Sequence, residues 1–340
     1  MTTFKWYRIG QLTLVSTVIA SLLTACGGGS VPTGSEQTAP SNASTTTTHS
    51  TEQATVLSNQ AATRPFTDWT GHIVEVPAHP QRIIYHGETT GDLLALGITP
   101  VGILHKSILG TTYENRLSGS TDIGFPFSVE KAVEVDPDLI IIANNDETVY
   151  TQVSKIAPTV TFDSFASLPE RMRVLGKLFG KEKEAEQWLE RYTKKEKAMW
   201  NKIREQGVKP EETASVITMY PGNRLFVMVS AGLPQLLYGE LGFKPVSLVQ
   251  DIVRNGTGFM EISLEKLPEY AGDRIFILKP IDASAKKDSD ELLKSKVWTQ
   301  LPAVKNGHVY EFDINKAGSD ATSREWLLDE LPRLLQSTER

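Results

Sequence analysis

Two spacings of apolar residues alternate along the chain from about residue 64. Short, continuous apolar runs rich in β-branched residues predict buried strands, and recurrence at three to four residues predicts helix. In the first half the runs place strands near 82–86, 101–104, 139–143 and 159–163. In the second half they fall near 214–219, 225–229, 274–278 and 309–312. Helical segments separate them, so each half reads as a parallel sheet covered by helices, an α/β fold.

The halves also repeat each other. Leu96-Gly-Ile-Thr-Pro-Val101 matches Leu241-Gly-Phe-Lys-Pro-Val246, and Ser128-Val-Glu-Lys131 matches Ser263-Leu-Glu-Lys266. In each copy an Asp, Asp138 or Asp273, follows the Ser and opens an apolar run. Between the copies lies a helical pattern from about Leu168 to Glu205, with Leu175, Leu178, Phe179, Ala185, Trp188, Leu189, Tyr192 and Met199 on its apolar side. Gly176 and Gly180 are the places where it bends or divides.

The N-terminus adds a different segment. Lys5 and Arg8 precede the apolar run from Leu12 to Leu23, and Thr24-Ala25-Cys26 follows. The order is that of a secretory leader, and the run is short for a membrane span of about 20 residues. A retained anchor helix is the alternative. Leu23-Thr24-Ala25-Cys26 resembles the lipoprotein cleavage box, in which the cysteine is acylated and becomes the N-terminus. The stretch from Gly27 to about Thr63 is Gly, Ser, Thr, Ala, Gln and Pro with few large apolar residues, a flexible stalk. The expected organisation is a leader at 1–25, Cys26 and stalk at 26–63, a first lobe at 64–166, a connecting helix at 167–206 and a second lobe at 207–340.

Charge and composition narrow the function. The net charge is −6, and without Lys5 and Arg8 it becomes −8. An acidic body gives no electrostatic hold on a phosphate backbone, so nucleic acid is not an expected partner. A single cysteine leaves no disulfide framework or thiolate cluster. The six histidines show no metal-ligand spacing, so no metal site is expected in the chain itself. Nucleophile-elbow, Walker, dinucleotide and zinc-protease motifs are absent, which argues against an enzyme.

These features in this order resemble the substrate-binding lipoproteins of ABC importers, in the long-helix branch that carries ferric siderophores, heme and cobalamin. Pro80-Gln-Arg-Ile-Ile84 with Gly91–Gly102, Ile123–Lys131 with Pro137–Ile141, and Trp298–Val304 with Gly307–Tyr310 match its landmarks. The resemblance implies two Rossmann-like lobes joined by a single long α-helix, with a ligand cleft between them. It implies a monomer tethered through Cys26 outside the cytoplasmic membrane, and Gly27 with the long stalk resembles a Gram-positive surface lipoprotein. It also implies docking on an ABC permease dimer through one acid per lobe, which falls here on Glu130 and Glu265, with Glu134 and Glu261 as the nearest competitors. An acid in a helix's first turn also favours that helix's own start, so both residues have a local role as well.

Ligands of open parallel sheets bind beyond the carboxyl ends of the strands. Loops after strands therefore supply the candidates: His86, His105, Tyr113, Arg116 and Asn144 from the first lobe, and Tyr220, Arg224, Phe226 and Lys279 from the second. A ferric siderophore brings its own oxygen shell, so the protein needs donors, cations and aromatic faces and no cofactor of its own. Arg116 and Arg224 suit outward oxygens, and Tyr113, Tyr220 and Phe226 suit the organic frame. A moderately cationic cleft favours the hydroxamate class. Heme, with His86 or His105 as an axial ligand, and cobalamin are alternatives, and an adhesive surface lipoprotein is the alternative of another class.

Overall fold

Residues 62–254 and 257–337 are described in the computed structural model; the leader, Cys26 and nearly all of the stalk lie outside the described residues. Strands β1 (Thr63–Thr67) and β2 (Ile73–Pro77) form an antiparallel hairpin that the apolar pattern did not announce. Asp68, in its turn, accepts the Thr161 backbone N–H at 2.9 Å and so fastens the hairpin to the first lobe.

The first lobe follows the expected alternation: β3 (Ile83–His86), α1 (Thr90–Ala95), β4 (Gly102–Ile103), α2 (His105–Ile108), β5 (Thr121–Asp122), α3 (Val129–Glu134), β6 (Leu139–Ile142), α4 (Glu147–Val153) and β7 (Thr159–Thr161). Its sheet runs β5-β4-β3-β6-β7 and every pairing is parallel. β3 and β6 are buried at every position, which is why they read as continuous apolar runs.

The helical pattern in the middle of the chain divides into α5 (Leu168–Phe179) and α6 (Glu182–Glu205). Ser167 and Glu170 form a capping box at the start of α5, and Gly180, at φ 63°, ends it in a left-handed turn. The chain then doubles back. Arg173 pairs with Glu186 at 2.6 Å, and a Cβ placed on Gly176 would stand 2.9 Å from that of Ala185. The two helices are thus an antiparallel hairpin in close contact. Only α6, 24 residues and about 36 Å long, is the long helix.

The second lobe contains β8 (Thr213–Tyr220), β9 (Arg224–Met228), α7 (Pro234–Leu237), β10 (Lys244–Pro245), α8 (Ser247–Arg254), β11 (Phe259–Ile262) and α9 (Leu267–Tyr270). It continues through β12 (Arg274–Lys279), α10 (Ala283–Lys294), α11 (Lys296–Gln300), α12 (Pro302–Lys305), β13 (Val309–Asp313) and α13 (Ala321–Ser337). The sheet order is β11-β9-β8-β12-β13. Here the expectation of a purely parallel sheet is corrected. β12 pairs in parallel with β8 and β13, but β9 is antiparallel to both β8 and β11. The cause is the tight turn Pro221-Gly222-Asn223, with φ of 87° at Gly222 and 58° at Asn223, which folds β9 straight back onto β8.

The repeat survives around this insertion. Asp138 accepts the N–H of Gln81 at 2.6 Å and of Arg82 at 2.9 Å, ahead of β3. Asp273 accepts the N–H of Thr213 at 2.8 Å, at the start of β8. The matched acids therefore do the same work in each lobe, tying the first strand to its neighbour.

One apolar cluster runs through both lobes and includes Tyr85 and Ile141 of the first, Leu175 and Trp188 of α5 and α6, and Val216, Phe276 and Leu331 of the second. A buried polar group crosses the same junction. Arg171 of α5 donates to Asp92 of α1 at 2.7 Å and to Ser319 O at 2.6 Å, and Asp92 also accepts the Ala321 N–H at 2.7 Å. α13, at the end of the second lobe, thereby packs on α1 and α6.

Candidate functional site

The carboxyl end of β3 carries His86. Its imidazole is buried, and Nε2 lies 2.8 Å from Gly124 O, so this nitrogen bears the proton and donates. Burial holds its pKa below the ordinary range, so the ring is neutral at pH 7. His86 lies parallel to Phe125 at 6.4 Å and edge-on to Phe127 at 5.1 Å. Phe125 is 67% exposed and carries Lys106 above it, with Nζ 3.4 Å from the ring centroid. Glu88 and Asp122 act on the His86 charge alongside Lys106, so acids and a cation are mixed here. His105, at the start of α2, is exposed and its N–H donates to Asp122 at 3.1 Å. Asn144, half-buried beyond β6, accepts the Asp146 N–H at 3.0 Å in the turn before α4.

In the second lobe Tyr220, Arg224 and Phe226 come together at the β8–β9 turn. Tyr220 and Phe226 meet edge to face at 5.0 Å, and Phe226 meets Phe259 of β11 in the same way at 5.8 Å. Tyr220 is 43% and Phe259 49% exposed, an open aromatic strip over a buried Phe226. The Arg224 guanidinium lies 5.0 Å from the Phe226 centroid. Both its Nε, at 3.0 Å, and its Nη2, at 2.7 Å, donate to Glu261 Oε2. This strip shares its sheet face with Val216, Phe276 and Leu278, the face turned to the lobe junction.

The lobes touch beside these groups. Asn315, after β13, donates its side-chain amide to Leu109 O, after α2. Phe165, after β7, lies against Gly258, where a Cβ would stand 3.2 Å from the ring. The structure thus brings His86 and Asn144 to the first lobe's strand ends, and Tyr220, Arg224 and Phe226 to the second's.

Three candidates fall elsewhere. Tyr113 is almost wholly buried, and its hydroxyl donates to Asp320 at 3.4 Å within the lobe junction. Arg116 donates to Leu94 O at 3.2 Å and so serves the end of α1. Lys279 alternates with inward-facing Leu278, leaves the opposite face of the sheet and pairs with Glu311. A loop position after a strand does not say which way the side chain turns, and that is why the spacing could not separate these three from Arg224. Sequence reasoning passed over Phe125 and Phe259, and weighed Glu261 only as a competitor for docking. The alternation in Phe259-Met-Glu-Ile262 was a usable signal for an edge strand.

A two-lobed α/β body with aromatic and charged groups at the strand ends of each lobe has the make-up of a ligand-binding protein. Residues 83–315 match the periplasmic binding protein family, and the chain belongs to it. It is 33% identical over 247 residues to the iron(3+)-hydroxamate-binding protein FhuD of Bacillus subtilis, spanning 71% of this chain and 76% of that one. Staphylococcus aureus SirA, solved in complex with staphyloferrin B, is 29% identical with a TM-score of 0.71, over 80% of this chain and 98% of that one. A FhuD fold-family component of a ferrichrome ABC transporter from Bacillus subtilis is also 29% identical, with a TM-score of 0.67, covering 80% and 99%.

Proposed function

We propose that the protein captures a ferric siderophore of the hydroxamate class between its lobes and hands it to an ABC permease for iron uptake. The observation that carries the reading is the Tyr220–Phe226–Phe259 strip with Arg224 beside it, whose Phe226 belongs to the core cluster shared by both lobes. Rings of this kind accept the organic frame of a siderophore, and a guanidinium donates to its metal-bound oxygens. The relationship to an iron(3+)-hydroxamate-binding protein supports the ligand class. The same family membership supports a place outside the cytoplasm, and acylation of Cys26 would hold the monomer at the membrane's outer face. Among the described residues no helix is long and apolar enough to cross a membrane. Glu130 and Glu265, both exposed near helix starts, are the proposed contacts to the permease dimer.

Tryptophan-quenching titration against a ferric trihydroxamate, a ferric tricatecholate, ferric citrate, heme and cobalamin tests the ligand. The expected result is saturable quenching by the trihydroxamate, weakened about tenfold or more by Arg224→Ala. Saturation by heme or cobalamin alone moves the protein to that ligand, and silence across the panel overturns the capture reading.

A further inference from the structure

We propose that Glu261 sets the charge selectivity of the ligand site: by cancelling Arg224 it keeps the site open to neutral and weakly charged ferric trihydroxamates and closed to polyanionic ferric complexes. The inference rests on the capture reading above and adds the residue that discriminates within it. The chemistry of the ligand classes makes charge the natural criterion. Each hydroxamate gives up a single proton, so a ferric trihydroxamate is neutral at its metal. Each catechol gives up both, so a ferric tricatecholate is a trianion, and ferric polycarboxylates are anionic as well.

A site built for a trianion needs uncompensated cations. Arg224 is instead held on two sides. Glu261 takes both guanidinium donors on one oxygen, at 3.0 and 2.7 Å, and Phe226 lies beneath at 5.0 Å. The register makes this arrangement a property of the sheet. Glu261 stands directly opposite Phe226 in the β9–β11 ladder, so it is the diagonal neighbour of Arg224 on the same face. The mutual hydrogen bond draws the Glu261 carboxyl below and the Arg224 guanidinium above their ordinary ranges, so both stay charged and paired at neutral pH. In the first lobe cation and acid are likewise mixed, with Lys106 accompanied by Glu88 and Asp122 around His86. The paired Arg224 still has N–H groups that Glu261 does not take, which suffices for a neutral complex.

Glu261→Gln tests this, because the amide oxygen can still accept from Arg224 while the charge is gone. Affinities of the whole protein for a ferric trihydroxamate and a ferric tricatecholate are measured at low and high salt, with circular dichroism to verify folding. The expected outcome is binding of the tricatecholate strengthened about tenfold, most at low salt, with the trihydroxamate changed by less than about threefold. Adding Arg224→Gln to Glu261→Gln removes the unpaired cation and should erase the gain in tricatecholate affinity. An unchanged ratio in Glu261→Gln overturns the inference and leaves the capture reading standing, whereas a wild-type protein that binds the tricatecholate more tightly than the trihydroxamate overturns the inference and the hydroxamate class together. A wild-type protein that binds neither complex overturns the inference and the capture reading alike.

Discussion

Asp320 shows what a single buried side chain contributes. It sits at the start of α13 and accepts the Ser323 N–H at 2.9 Å, an N-cap arrangement that suits Asp or Asn equally. Burial, with the charge of Asp92 next in effect, has its pKa pushed up to about 6 from an ordinary 3.8. The folded form therefore holds a proton through this interval that the unfolded chain releases, so the group removes stability as pH rises from about 4 to 6. Asp320→Asn should spare that loss. Urea midpoints measured at pH 4, 5, 6 and 7 are expected to show the variant gaining on wild type with pH, by about 1–3 kcal/mol at the upper end. Parallel curves for the two proteins would assign the junction's pH response to other groups. Nothing in the sequence around Ser319-Asp320-Ala321 marked this residue, because Tyr113, which donates to it, and Asp92, whose charge acts on it, lie more than two hundred positions away. Arg224 was legible as a cation in a turn, and its neutralisation by Glu261 was not, since that depends on the register of two strands.

Among elements, the α5–α6 hairpin departs most from a linear reading of the chain. Apolar spacing alone is continuous across Gly180, and the decision between a rod and a hairpin falls to the left-handed turn at that glycine and the close contact at Gly176. Gly176→Leu should force the helices apart, lowering stability by about 1–3 kcal/mol with little change in helical content. Thermal unfolding followed by circular dichroism measures it, and an unaltered midpoint would mean the pair has room that the geometry denies. The eight strands expected from apolar runs are all present, and those buried on both faces, such as β3 and β6, are largely apolar for that reason. The hairpin β1–β2, the edge strand β11 and the two-residue strands β4, β5 and β10 offer shorter or half-exposed patterns, and of these only β4 fell within an expected run. β9 was found as a strand but its direction was misread, because the repeat pointed to a parallel neighbour. β10 is what the repeat predicts there: it pairs in parallel with the lower part of β8, and the inserted β9 takes the upper part.

For the whole molecule, the proposed delivery to a permease dimer would need both lobes to dock together, and the shared core and the Asp92–Arg171–Ser319 connections join them. Glu130→Lys combined with Glu265→Lys should abolish iron uptake by cells while leaving ligand affinity in solution unchanged, since neither residue touches the facing strand ends. Uptake at the wild-type rate, or a loss of affinity, would remove the docking role from these two residues. The chain by itself determined the α/β alternation, the duplication and the candidate loops, because buried strands, helix ends and repeats are written in local spacing. The tertiary structure decided the helical hairpin, the mixed second sheet, the lobe junction and the pairing of Arg224 with Glu261. Those depend on register and on which way a side chain leaves its strand, and both are fixed only when distant segments meet.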